Sequence, residues 1–132
     1  MQQRLRQPFY GFWGCVTGPV QWGEAIEVTA HREFEKQTGL TASYEVRGFY
    51  RKTDFARETD ILLEDKLFAI VTATELRGEL TNQWRQGFNA WMSLDDFKSK
   101  DRYFMSTCIF IDMLTTGQAY SAGSATYPYG RY

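Results

Sequence analysis

Hydrophobic and polar positions alternate most regularly between residues 24 and 51. Two runs place an apolar residue at every second position, on either side of a polar segment at 35–39; the apolar positions are Ile26, Val28, Ala30, Leu40, Ala42, Tyr44 and Val46. Alternation with a period of two around a short loop predicts a β-hairpin with one buried face. Gly48 then interrupts the pattern, which indicates a β-bulge or the close approach of another backbone segment.

The next apolar groups, at 61–63 and 67–71, are separated by three charged residues. They predict two short strands joined by a tight turn. A helix over 61–77 is the alternative, because Leu, Glu and Lys are good helix formers. The β-branched pair Ile70-Val71 favours the strand interpretation.

Residues 79–101 permit two interpretations. Trp84, Phe88 and Trp91 fall at helical spacing, but a glycine inside that stretch weakens a helix. Ser93 and the carboxylates after it are suited to capping a short turn. The β-branched and aromatic residues of 103–111 predict a further strand.

The two ends of the chain differ in composition from the part between them. Residues 1–23 are rich in glycine, proline and aromatic residues, and residues 115–132 in glycine, serine, threonine and tyrosine. We therefore expect an N-terminal arm (1–23), a β domain (24–114) and a C-terminal arm (115–132). The fold class expected is mostly β, a small antiparallel β-barrel or sandwich with extended arms and at most one short helix.

Composition limits the classes of function. The chain has 132 residues, the length of one ordinary domain, and a net charge of −1, which disfavours a dedicated nucleic-acid binder. No segment has the length of a membrane span, and we expect no membrane partner. Aromatic residues make up 17% of the chain, more than a small core needs, which predicts contacts with other subunits. The residues expected there are Phe9, Tyr10, Phe12, Trp13, Tyr120, Tyr127, Tyr129 and Tyr132.

Catalytic chemistry is not evident in the sequence. His31 is the only histidine, and the two cysteines, expected to be reduced thiols, lie far apart, so neither a catalytic dyad nor a zinc site is indicated. Carboxylate pairs such as Glu64-Asp65 and Asp95-Asp96 are more typical of solvated turns and helix caps. We therefore expect no catalytic, metal-binding or cofactor-binding residues, no cofactor and no enzyme.

One segment resembles a known family. The run from Gly23 to Arg32, the Thr38-Gly39 turn and the run from Tyr44 to Tyr50, which contains Val46-Arg47-Gly48-Phe49, are similar to the opening hairpin of small head–tail connector (head-closure or neck) proteins of tailed bacteriophages. A strand pair like that of residues 60–73 follows in those proteins.

The resemblance implies a structural virion protein, a hexameric or dodecameric ring between the portal or adaptor and the tail proteins, with DNA only as passing cargo. It also implies assembly into the virion in the host cytoplasm. A tail terminator or another tail component is the nearest alternative. Others are a monomeric β-barrel that binds a small apolar ligand between Trp84, Phe88 and Trp91, and an enzyme that uses Glu64-Asp65 or Asp95-Asp96 with a divalent metal.

Overall fold

The computed structural model of the chain describes residues 1–128 of the 132. In chain order their elements are β1 (Gln2–Arg4), β2 (Trp13–Gly14), α1 (Ile26–Thr38), β3 (Thr41–Ala56), β4 (Leu62–Arg77), β5 (Gln83–Trp84), β6 (Gly87–Asn89), α2 (Leu94–Lys98), α3 (Met105–Thr116) and β7 (Tyr120–Tyr127). The strands form a four-stranded sheet in the order β2-β1-β6-β5 and a three-stranded sheet in the order β4-β3-β7.

The three-stranded sheet is mixed. β3 and β4 form a long antiparallel hairpin, and β7 runs parallel to β3. The expected mostly β character is therefore confirmed. Residues 1–128 form open sheets, so the structure does not confirm a closed barrel, and a purely antiparallel arrangement is wrong.

Gly48 marks both features that its position predicted. The pairing of β3 with β4 shifts register between Val46 and Gly48. A Cβ added at Gly48 would stand 2.6 Å from the carbonyl oxygen of Ala119, just before β7. Only a residue without a side chain lets the two backbones come this close.

Helix α1 replaces the first strand of the expected hairpin, so that prediction is wrong. The buried side chains of α1 are Thr29, Glu33, Gln37 and Thr38, all polar, whereas Val28 is exposed. Spacings of four residues place Thr29, Glu33 and Gln37 on one helical face. Hydrophobic periodicity does not detect such a face, because its buried positions are not hydrophobic.

Helix α3 replaces the strand expected over 103–111. Phe110 and Met113 of α3 pack against Tyr50 and Ile70 of the β3–β4 hairpin to form the buried core. Helix propensities differ by less than about 1 kcal/mol for these residue types, so packing against the sheet outweighs the preference of β-branched residues for strands.

The middle of the chain agrees with the expectations in part. Residues 62–77 form one continuous strand instead of two short ones. Residues 79–101 form β5, β6 and α2 and not a long helix. Ser93 does cap a helix, since its hydroxyl accepts a hydrogen bond from the Asp96 backbone N–H, 3.0 Å away.

Both ends of the chain contribute strands. β1 lies between β2 and β6, and β7 pairs with β3 along its whole length. The division of the chain into an N-terminal arm (1–23), a domain (24–114) and a C-terminal arm (115–132) stays a prediction. Within residues 1–128, no helix is both long enough and apolar enough to cross a membrane.

Candidate functional site

A cluster of charged side chains joins the loop at 17–24 to helix α1. Arg32 donates from Nε to Glu24 Oε1 at 2.8 Å and from an Nη to Glu24 Oε2 at 2.9 Å. The same guanidinium reaches the Pro19 carbonyl oxygen at 3.1 Å. Thr29 donates to Glu24 Oε2 at 2.6 Å. This bidentate pair fixes the loop on the helix.

Glu33 lies at the centre of the cluster and is 6% exposed. Its carboxylate accepts hydrogen bonds from Arg32, from Lys36 Nζ at 3.3 and 3.5 Å, and from Gln37 Nε2 at 2.8 Å. A carboxylate has about four lone-pair positions. The four contacts therefore occupy the hydrogen-bonding capacity of Glu33.

The loop backbone covers this carboxylate. A Cβ added at Gly18 would collide with the Glu33 side chain, so glycine is required for the loop to lie there. Gln37 Nε2 also donates to the Thr17 carbonyl oxygen at 2.9 Å. Both partners of this nitrogen, the Glu33 carboxylate and the Thr17 carbonyl, can only accept hydrogen bonds. The side-chain amide of Gln37 is therefore oriented with its N–H groups towards Glu33 and the loop.

Lys36 is the most exposed member of the cluster that carries positive charge. Its side chain is 46% exposed, against 30% for Arg32. Besides Glu33, the ammonium contacts the ring of Trp84 in β5, 5.6 Å from its centroid. A carboxylate and an aromatic face thus hold one ammonium at the protein surface.

The cluster keeps its carboxylates ionised. Hydrogen bonds from Arg32 and Thr29 lower the pKa of Glu24 from 4.5 to about 2. For Glu33, burial raises the pKa, but hydrogen bonds from Gln37 and Lys36 and the positive charge of Lys36 outweigh it, so the pKa is lowered. With two carboxylates, one guanidinium and one ammonium, the four charges balance.

Several aromatic residues expected to contact other subunits pack within the chain. The Phe9 ring lies 5.5 Å from that of Phe12 and 6.2 Å from that of Tyr127, and Trp13 lies 6.2 Å from Phe88. Tyr10 and Tyr120 are 52% and 55% exposed. Tyr129 and Tyr132 lie outside the described residues. Contact of these eight residues with a partner stays a prediction.

The carboxylate pairs and the histidine considered above lie outside the cluster. Asp96 caps α2, Asp65 forms an ion pair with Arg51, and Glu64 contacts Lys66. His31 lies on helix α1, not on a strand, and its Nδ1 is 3.4 Å from Glu35 Oε2.

Cavities do not indicate a separate ligand site. Trp91 borders a small cavity of about 50 Å³, too small for an organic ligand, while Trp84 covers Lys36. A groove of about 310 Å³ along β3 and β7 contains one charged side chain, Arg51, which is already paired with Asp65. The charged cluster on α1 offers more chemistry than either.

Sequence reasoning missed five residues of this candidate site, Glu24, Arg32, Glu33, Lys36 and Gln37. The sequence did contain an indication of helix α1. Polar residues recur at every fourth position, at Thr29, Glu33 and Gln37, and Gly39 follows as a residue typical of a helix end. Gly39 adopts a left-handed conformation (φ 75°) and donates to the Glu35 carbonyl oxygen at 2.8 Å, as expected at a helix end.

Comparison with known proteins identifies the family. The model of the NUDIX domain matches residues 1–108, which include the whole cluster. The crystal structure of the mutator MutT protein from Bacillus halodurans superposes with a TM-score of 0.75 at 22% identity, covering 99% of this chain and 84% of that one. No match to a curated protein is found.

These findings correct the resemblance to phage connectors. The match over residues 1–108 replaces a hairpin likeness confined to part of the chain. The structural virion role, the ring with portal and tail partners, the virion location and the absence of enzymatic function are therefore wrong. The tail-component and ligand-binding-barrel alternatives do not fit either. The chain belongs to the NUDIX domain family.

Proposed function

We propose that the chain is a hydrolase whose reaction centre is the charged cluster on helix α1. The family match supports hydrolysis. One observation supports placing the reaction centre here. The Lys36 ammonium is held at the protein surface by the buried Glu33 carboxylate and the Trp84 ring. In the same cluster Arg32 is committed to Glu24, Glu33 and the loop.

The family also implies a divalent cation bound by carboxylates, and the residues present do not fit one. Within residues 1–128, no group of three or more His, Cys, Asp or Glu side chains is arranged to hold a metal ion. Both oxygens of Glu33 already accept hydrogen bonds from cationic or amide donors. The reaction proposed for this chain therefore uses its own side chains and no metal ion.

Lys36 supplies the chemistry that the chain itself offers. Hydrolysis adds water across a bond and places negative charge on the attacked group and on the leaving oxygen. A fixed ammonium stabilises that charge in the transition state. As a compact point charge with three N–H donors, it suits phosphate oxygens, so the substrate proposed is phosphate-bearing. Glu33 is a positioning residue for Lys36.

A substrate panel tests this function. It contains a nucleoside triphosphate, a nucleotide sugar and inorganic pyrophosphate, with a carboxyl ester as comparison. We expect the wild-type chain to hydrolyse at least one phosphate compound, and Lys36→Gln to lower kcat by about 10²–10³-fold. Lys98→Gln, an exposed lysine on α2, is the matched control. Equal rates for both variants would reject the assignment.

A positioning role for Glu33 has its own test. Glu33→Gln removes the charge that holds the ammonium and is expected to lower kcat, whereas Glu33→Asp, which keeps the charge, is expected to restore part of it. If Glu33→Asp is no better than Glu33→Gln although both variants unfold at the same urea concentration, Glu33 does not act by positioning Lys36.

A further inference from the structure

We propose that Lys36 and Gln37 exclude divalent cations from the α1 centre and that the Lys36 ammonium supplies the positive charge there as part of the chain. The inference rests on the proposed function only for calling the cluster a reaction centre. Cation binding itself is measured without turnover.

The geometry at Glu33 shows why a cation is excluded. Lys36 Nζ lies 3.3 Å from one carboxylate oxygen and 3.5 Å from the other, so one ammonium bridges both. A divalent cation bound by that carboxylate would occupy the same space. The ammonium also repels a divalent ion at such a distance, and because its side chain is 46% exposed, solvent weakens this repulsion in part.

Gln37 removes a second ligand position. Glu33 and Gln37 lie four residues apart on the buried face of α1, the spacing at which two side chains can share one ion. The amide nitrogen, however, donates to Glu33 Oε2 at 2.8 Å and to the Thr17 carbonyl oxygen at 2.9 Å. An N–H group turned towards the site cannot coordinate a metal.

The other nearby carboxylate is equally committed. Glu24 is 12% exposed, and its two oxygens contact Arg32 and Thr29. A hard cation such as Mg²⁺ needs oxygen ligands that are free to coordinate. The cluster instead satisfies its carboxylates entirely with donors from its own chain.

Substitution at the two positions gives a direct test. Mn²⁺ is the probe, and its binding is measured by electron paramagnetic resonance. The wild-type chain is expected to bind no more Mn²⁺ than Glu33→Gln does. Lys36→Glu/Gln37→Glu is expected to gain a site at least about tenfold tighter than any in the wild type, because carboxylate number governs affinity. Adding Glu33→Gln to the double variant is expected to abolish the gain.

Two controls complete the experiment. Arg77→Glu makes the same change of charge as Lys36→Glu, at an exposed position of β4, and is expected to gain no site. If circular dichroism shows that the double variant is unfolded, Lys36→Glu alone is used in its place and is likewise expected to gain a Mn²⁺ site. Mn²⁺ binding by the wild type that depends on Glu33, or no gain in the folded variants, would overturn the inference. Failure of the proposed function would appear separately, as absent turnover with the same Mn²⁺ results.

Discussion

Arg32 and Glu24 form a two-point ion pair between helix α1 and the loop before it, with donor–acceptor distances of 2.8 and 2.9 Å. The pair lies eight residues apart in sequence and closes the loop that carries Gly18 over Glu33. Its consequences for stability and for the site can be measured separately.

Stability is expected to depend on the ionisation of Glu24. Its pKa is lowered from 4.5 to about 2 in the folded chain, chiefly by Arg32, so its contribution is complete above 4.5 and is lost as the pH falls towards 2. The difference in urea midpoint between wild type and Glu24→Gln should therefore shrink over that range. Glu27→Gln, an exposed change on α1, is the control. A difference that does not vary with pH would contradict this role of the pair.

Gly18 is expected to be intolerant of a side chain because of Glu33. Gly18→Ala places a methyl group in the space of the Glu33 side chain and should cost about 1–3 kcal/mol in the free energy of unfolding. In a Glu33→Ala background the same change should cost less than about 0.5 kcal/mol. Urea unfolding of the four chains measures this coupling. Equal costs in both backgrounds would show that Gly18 is not in contact with Glu33.

The core position of α3 is tested by two substitutions on that helix. Phe110 is 8% exposed and packs on Tyr50 and Phe68, so Phe110→Ala should cost about 3–5 kcal/mol. Met105→Ala changes a residue that is 64% exposed and should cost less than about 0.5 kcal/mol. Similar costs at the two positions would mean that α3 does not pack through Phe110.

The sequence revealed the part of the fold in which buried positions are apolar and exposed ones polar. Along β3, exposed Ser43, Glu45 and Arg47 alternate with less exposed neighbours, and this strand was predicted. Helix α1 was missed for the opposite reason, since its buried face carries Thr29, Glu33 and Gln37. The segment that forms the candidate site is therefore the one whose hydrophobic pattern is misleading.

The site depends on contacts between segments that a linear pattern does not show. In the sequence, Glu33 and Lys36 resemble ordinary residues of a helix surface. Only the structure shows that the loop at Thr17 and Gly18 covers Glu33. Only the structure places the Trp84 ring against Lys36. The charge balance of the cluster likewise follows from its distances and not from composition. A search for polar residues that recur at every fourth position before a helix-ending glycine would have identified helix α1. It would not have identified the contacts that its charged side chains make.

Turnover in the presence of a metal chelator tests the central claim most directly. With the substrate found in the panel, the wild-type chain is expected to keep its rate after exhaustive treatment with EDTA, and Lys36→Gln to lose about 10²–10³-fold in kcat under the same conditions. Loss of wild-type turnover with EDTA and its recovery on adding Mg²⁺, together with an unchanged rate in Lys36→Gln, would contradict the account.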